Sequence, residues 1–165
     1  EGTARMIATM VLALFGQAAS APAQLPHGVL YDYYEAAQMC DGMGALGELT
    51  IYPEFAQLVD LNGDGVSDVI VDYAGLSCSG GASLYAAGSS GYPLKIYLGG
   101  ATELEPAYET AVRGWSLLDT PDGPALELVT AGGSACGTAN RSQSCSFQLS
   151  WYRNGFMEGP RRAAR

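Results

Sequence analysis

From residue 49 onward, short apolar or alternating segments are separated by Gly, Pro, Asn and Asp clusters, most of them too close together to hold a helix between. Parallel strands need a crossover of a dozen or more residues, whereas antiparallel strands can be joined by tight turns. This punctuation restricts the chain to antiparallel pairing. The predicted strands are 49–52, 55–59, 69–73, 82–85, 94–98, 108–112, 115–118, 125–130 and 145–151, with 75–81 as a loose Gly/Ser segment. Pro121-Asp122-Gly123 marks a hairpin, because Pro presets the first turn angle and Gly accepts a positive one. Cys145, Phe147, Leu149 and Trp151 alternate with Ser146, Gln148 and Ser150, the pattern of a strand with one buried face. Asn154-Gly155 marks a further tight turn, and 159–165 reads as a basic, frayed tail.

One helix precedes the strands. Between Val29 and Cys40, the residues Leu30, Tyr33, Tyr34 and Ala37 recur at helical spacing, and Asp32 and Glu35 sit toward the N-terminal end that favours acids. Gly42, Gly44 and Gly47 end it. The expected fold is α+β and mostly β, with an N-terminal helix packed on an antiparallel sheet or small sandwich.

The most specific chemical signal is Asp60-Leu61-Asn62-Gly63-Asp64-Gly65-Val66-Ser67-Asp68. Oxygen side chains occupy loop positions 1, 3, 5 and 9, with Gly at position 6, the spacing by which a short loop wraps calcium. Asp60, Asn62, Asp64 and Asp68 would supply side-chain oxygens and Val66 its carbonyl. Three carboxylates converging without a cation would repel, and some would take up protons. The competing reading is an ordinary Asn/Asp/Gly turn. A turn needs two or three such residues, and this run carries more. Position 12 is Val71 where a helix-loop-helix site carries a bidentate Glu, and β-formers leave the loop, so a strand lies on the exit side.

With a strand on its exit side, the loop resembles the calcium loops of FG-GAP and VCBS-type repeats, matching D-x-[DN]-x-D-G-x-x-D at Asp60, Asn62, Asp64, Gly65 and Asp68. The likeness implies a calcium ion. Those families carry tandem copies that build propeller blades, and one copy here excludes a whole propeller. A second likeness covers more of the chain. A short helix ending in Cys40, the acidic loop running into 69–75 and Cys78, Gly133-Ser134-Ala135-Cys136-Gly137 and a last strand with Trp151 resemble a group of uncharacterised exported bacterial proteins. Members often carry another Cys pair in the segment corresponding to 85–91, which has none here. That likeness implies fold and location and no activity.

Residues 7–15 form an apolar segment, followed by small residues up to Ala21-Pro22-Ala23. A segment of that length with a small-x-small site reads as a secretory signal peptide cleaved after Ala23, too short to span a bilayer. Removal of 1–23 leaves 142 residues, takes away Glu1 and Arg5, and keeps the net charge at -9. The mature part, 24–158, suits one compact domain. Its acidity argues against nucleic acid or an anionic membrane as partner, since both need a basic face. It favours calcium. Envelope proteins and glycans are the remaining partner classes, in the periplasm or outside the cell.

Export decides how the four Cys residues are read. An even count without C-x-x-C spacing in an oxidising compartment implies disulfides. Of three possible pairings, Cys136 with Cys145 across a polar loop is favoured, which leaves Cys40 with Cys78. Catalytic sets are sparse. His27 is the sole histidine, zinc would need reduced Cys, and Glu103, Glu105, Glu109 and Glu127 are the carboxylates left for glycoside chemistry. Asp72 is a candidate partner for the calcium shell. No catalytic or cofactor-binding residue is assigned. The expected function is that of an exported calcium-binding structural or binding module, against the alternative of an envelope enzyme or hydrolase inhibitor with a structural calcium. For an inhibitor, 88–91 would be the protruding loop. Ten Tyr and two Trp admit two readings, a recognition surface of Tyr31, Tyr33, Tyr34, Tyr85, Tyr92 and Tyr97, or, as favoured, packing where the helix meets the sheet with hydroxyls toward water.

Overall fold

Helix α1 runs over His27–Asp41, and its buried positions are Gly28, Val29, Asp32, Ala36 and Cys40. This is not the stripe that apolar spacing predicts: Leu30, Tyr33 and Tyr34 are exposed. Small side chains decide the orientation, because they let the helix backbone approach the sheet. A Cβ built on Gly28 would lie 2.1 Å from Tyr97 Cε1, and Ala36 is completely enclosed. The computed structural model describes residues 25–138 and 140–164. The predicted signal peptide therefore lies outside the described residues.

Eleven strands follow: β1 (Leu49–Ile51), β2 (Ala56–Val59), β3 (Asp68–Asp72), β4 (Leu76–Cys78), β5 (Tyr92–Tyr97), β6 (Tyr108–Val112), β7 (Gly114–Thr120), β8 (Gly123–Ala131), β9 (Ser144–Tyr152), β10 (Gly155–Glu158) and β11 (Arg162–Ala163). They form three antiparallel sheets. One has the order β2-β3-β5-β6, one β10-β9-β8-β7 with β11 also on β9, and a small ribbon pairs β1 with β4. The fold is α+β and mostly β, as expected.

The four-stranded sheet is buried on both faces. Val69 and Val71 face α1 together with Tyr73, Tyr97 and Phe55. Ile70, Leu94, Ile96 and Val112 face the five-stranded sheet and meet Leu126, Leu128, Phe147 and Leu149. Strand β3 thus reads as a continuous apolar run, Val69-Ile70-Val71, because neighbours alternate between two cores. Strand β9, covered on one face, alternates instead.

Three expectations change. The segment 82–85 is a pair of turns, with Leu84 N–H donating to Gly81 O and Ala86 N–H to Ser83 O; Gly on either side favours turns over pairing. The segment 75–81 contains β4, which pairs with β1 and whose Cys78 is bonded to Cys40. The tail is also paired. Gly159 N–H donates to Gln148 O, and Arg162 and Ala163 stand opposite Ser146 and Cys145, with Pro160 falling in the break between β10 and β11, where no ladder donor is needed. Both expected disulfides are present, Cys40–Cys78 and Cys136–Cys145. Among the described residues no helix is long and apolar enough to cross a membrane.

Candidate functional site

The acidic loop joins β2 to β3, and the last ladder pair before it is Val59 with Asp68. Its path is set by glycine: Gly63 and Gly65 have φ of +74° and +86°, a region most side chains avoid. These turns aim backbone N–H groups inward. Asp60 Oδ1 accepts from Gly63 N–H (2.7 Å) and Asp64 N–H (3.2 Å), and Oδ2 from Gly65 N–H (2.9 Å). Asn62 Oδ1 accepts from Asp64 N–H at 3.0 Å, and Asp64 Oδ1 from Val66 N–H at 2.7 Å. Asn62 also donates to Asp64 Oδ2. Side chains that expect a cation by spacing are tied here to the backbone they shape.

Asp68 differs from the others. It is fully buried, accepting from Leu61 N–H at 2.9 Å and from Gly99 N–H at 2.8 Å. It therefore closes the loop on itself and ties it to the turn after β5. Burial pushes its carboxyl above the ordinary value, the two N–H donors pull it back, and the nearby Asp64 and Asp60 charges push it up again. The five predicted ligands share one loop, with Asp60 and Asn62 half-buried, Asp64 and Val66 exposed and Asp68 interior. Among the described residues no three Asp, Glu, His or Cys side chains converge as a metal cluster. The donor set still fits a hard cation, since ionised carboxylates have about four acceptor positions and Asp64 and Asp68 each use two.

Asp72, at the far end of β3, plays a different part from the predicted one. Its Oδ2 accepts from Trp115 Nε1–H at 2.8 Å and its Oδ1 from Ala74 N–H at 2.9 Å. It joins the two large sheets and does not reach the acidic loop. Of the candidate carboxylates, Glu105 and Glu109 line one cleft beside Lys95, and Glu127 lies away from them. Glu127 lies on the five-stranded sheet, 3.6 Å from Arg162, whereas Glu109 stands opposite Lys95 on the other sheet. His27 is an exposed residue at the start of α1. The loop 88–91 is tied down, with Ser89 O accepting from Arg113 and Ser90 Oγ from Arg141.

The sequence reading missed a polar cluster beneath α1. Asp32, fully enclosed, accepts from Lys95 Nζ–H at 2.7 Å and from Tyr97 O–H at 2.8 Å. Lys95 also lies 5.3 Å from the centre of the Tyr73 ring. Burial, then the Asp32 carboxylate, raises the Tyr73 and Tyr97 hydroxyls. Two clefts of about 270 and 240 Å³ open on either side of Lys95. The available signal was that the chain has a single lysine, placed on an otherwise apolar strand. The tyrosines divide: Tyr31, Tyr33 and Tyr34 are exposed, while Tyr85 and Tyr97 are buried with hydroxyls bonded to Ala36 O and Asp32 instead of water.

No family model, curated protein or solved structure matches the chain, so a functional reading has to come from its own residues.

Proposed function

We propose that the protein is an exported, calcium-binding module of the periplasm or extracellular space, with the ion held by Asp60, Asn62, Asp64, the Val66 carbonyl and Asp68. One observation carries this reading: among the described residues no Lys or Arg is hydrogen-bonded or ion-paired to a carboxylate of the loop. Lys95 is paired with Asp32, and Arg161 and Arg162 with Glu158 and Glu127. Arg113 and Arg141 bond to carbonyl and hydroxyl oxygens around 89–90 and 141–144, and Arg153 lies over Tyr152. None of these contacts is to Asp60, Asp64 or Asp68. Three carboxylates within nine residues are left without a protein cation, one of them interior, and a dication from solvent supplies the missing charge.

Binding would draw the Asp60 and Asp64 carboxylates inward on a loop whose turns are already set by Gly63 and Gly65. The ion would pin the β2–β3 hairpin, and Asp68 would carry that constraint to β5 through Gly99. Two disulfides support export, because such bonds persist in oxidising compartments. Lacking a bidentate Glu, the site is expected to hold calcium at about 10⁻⁴ to 10⁻³ M, the range of extracellular modules.

Calorimetric titration of calcium into the oxidised protein, beside an Asp64→Ala variant, tests the reading, with melting recorded in calcium and in chelator. The expected result is saturable binding that the variant loses, and a lower melting temperature in chelator. No heat and no change in melting would leave the loop as a turn and end the proposal.

A further inference from the structure

The acidic loop forms one wall of a groove of about 540 Å³ at the end of the sandwich, whose other walls come from the β7–β8 turn and the β9–β10 hairpin. Its chemistry is mixed in a particular way. Trp151 and Tyr152 both line it, Tyr152 exposed and Trp151 half-buried on the other face of β9 with its ring edge-on to Phe156 at 5.1 Å, and Asn62, Asp122, Gln148 and Arg153 present planar polar groups. Asp122 and Arg153 have opposite charges, so this set is neutral as a whole. Tyr152 is exposed, with the Arg153 guanidinium 5.2 Å from its ring centre.

Arg153 is also conformationally costly. Its φ is +57°, the only positive value outside glycine among the described residues. It sits first in a two-residue hairpin turn, where Gly, Asn or Asp is preferred. An Arg held in that region sacrifices stability, and such strain concentrates where a side chain must be presented.

We propose that this groove binds a neutral oligosaccharide, with the exposed Tyr152 ring lying against a sugar face and Asn62, Asp122, Gln148 and Arg153 bonding to hydroxyls. A sugar ring has apolar C–H faces and a rim of hydroxyls that both donate and accept. Flat amphipathic rings and planar amide, carboxylate and guanidinium groups match those surfaces. A charged ligand would meet one favourable and one unfavourable partner in Asp122 and Arg153. The volume is that of a small-ligand site. Because Asn62 belongs to the calcium loop, the proposal rests on the calcium reading for the position of one wall only.

The test is a chemical-shift titration of the oxidised, isotopically labelled protein in calcium with maltotriose, cellotriose and tri-N-acetylchitotriose as probes. Saturable shifts at the Trp151 indole and the 153–155 amides are expected with at least one of them. The half-buried Trp115 indole, bonded to Asp72 and outside the groove lining, serves as the unmoved control. Arg153→Gly relieves the backbone strain, so it is expected to melt higher while binding about tenfold more weakly, the loss of one charge-assisted hydrogen bond. Absence of saturable shifts with all three sugars, or unchanged affinity in Arg153→Gly, overturns the proposal. Shifts that persist while calcium calorimetry is flat refute the calcium reading alone; calcium binding without shifts refutes the groove alone.

Discussion

Removing Lys95 is expected to cost more than removing the charge it pairs with. At 2.7 Å and an effective dielectric near 20, the Lys95–Asp32 attraction is about 6 kcal/mol. Desolvation of the two ions offsets much of it, so the intact pair contributes little net stability. Breaking it is another matter, and the two partners differ in access to water: the side chain of Asp32 is 1% exposed and that of Lys95 16%. Lys95→Met leaves a carboxylate enclosed under α1 with only tyrosine hydroxyls, Tyr97 foremost, as donors and no cation, and the cost is about 3 to 5 kcal/mol. Asp32→Asn keeps an acceptor for Tyr97 and leaves an ammonium that can extend toward solvent, at about 1 to 2 kcal/mol. The double variant has no buried charge and is expected to be more stable than Lys95→Met, with a coupling of about 2 kcal/mol. Urea unfolding at fixed calcium with disulfides oxidised, followed by circular dichroism and tryptophan fluorescence, measures all four proteins on one scale. A larger cost for Asp32→Asn than for Lys95→Met, or single costs that simply add, would refute the argument.

Asp68→Asn sets an amide N–H₂ against either Leu61 N–H or Gly99 N–H in a dry site, so it is expected to lose about 1 to 3 kcal/mol even in chelator. Urea unfolding checks this against Asp64→Asn, whose exposed change stays within about 0.5 kcal/mol in chelator. Thr130 Oγ1 is buried without a hydrogen-bond partner among the described residues, and Thr130→Val is expected to raise stability by up to about 1 kcal/mol, seen as a higher melting temperature. Burial alone would raise the Glu158 carboxyl, but bonds from Arg161 and Tyr108 outweigh it and hold the group below its ordinary 4.5. A lowered carboxyl contributes stability above its unfolded value and loses it as pH falls through the folded one. Glu158→Gln should therefore melt below the parent at neutral pH and converge with it at about pH 3; an equal gap at both would contradict the linkage.

Local chemistry was legible wherever it was complete within a few residues. Gly63 and Gly65 announce their turns, Pro121-Asp122-Gly123 its hairpin, and the Cys145 to Trp151 alternation its strand. The polar loop between Cys136 and Cys145 likewise identified one disulfide, and the remainder identified the other. What failed needed a partner distant in sequence. Asp32 reads as an acid placed for the helix dipole, yet Lys95, 63 residues away, turns it inward and with it the whole face of α1. The Leu30, Tyr33 and Tyr34 stripe is more apolar than the buried one and loses because Gly28 and Ala36 permit a closer approach. Strand β4 escaped notice because Leu76-Ser77-Cys78 is too short to show a period, and only β1 and Cys40 give it a place.

The same distinction explains why the loop was visible and the groove was not. Each wall of the groove is a connection that sequence reading found separately: the acidic loop between β2 and β3, the 121–123 turn and the tight turn read at 154–155, which falls one residue earlier at 153–154 because Gly155 pairs with Tyr152. Their meeting depends on two sheets packing through Ile70, Leu94, Leu126 and Phe147, which brings the β2–β3 end of one sheet beside the β7–β8 and β9–β10 ends of the other. Loops free of ladder constraints can carry recognition while the strands behind them stay rigid. Here glycine is spent at 63, 65 and 123 to make those loops tight, and arginine takes the one strained position where glycine would be easier. A fold that uses glycine freely elsewhere had a cheaper residue for position 153, and the guanidinium over Tyr152 is what the strained choice retains.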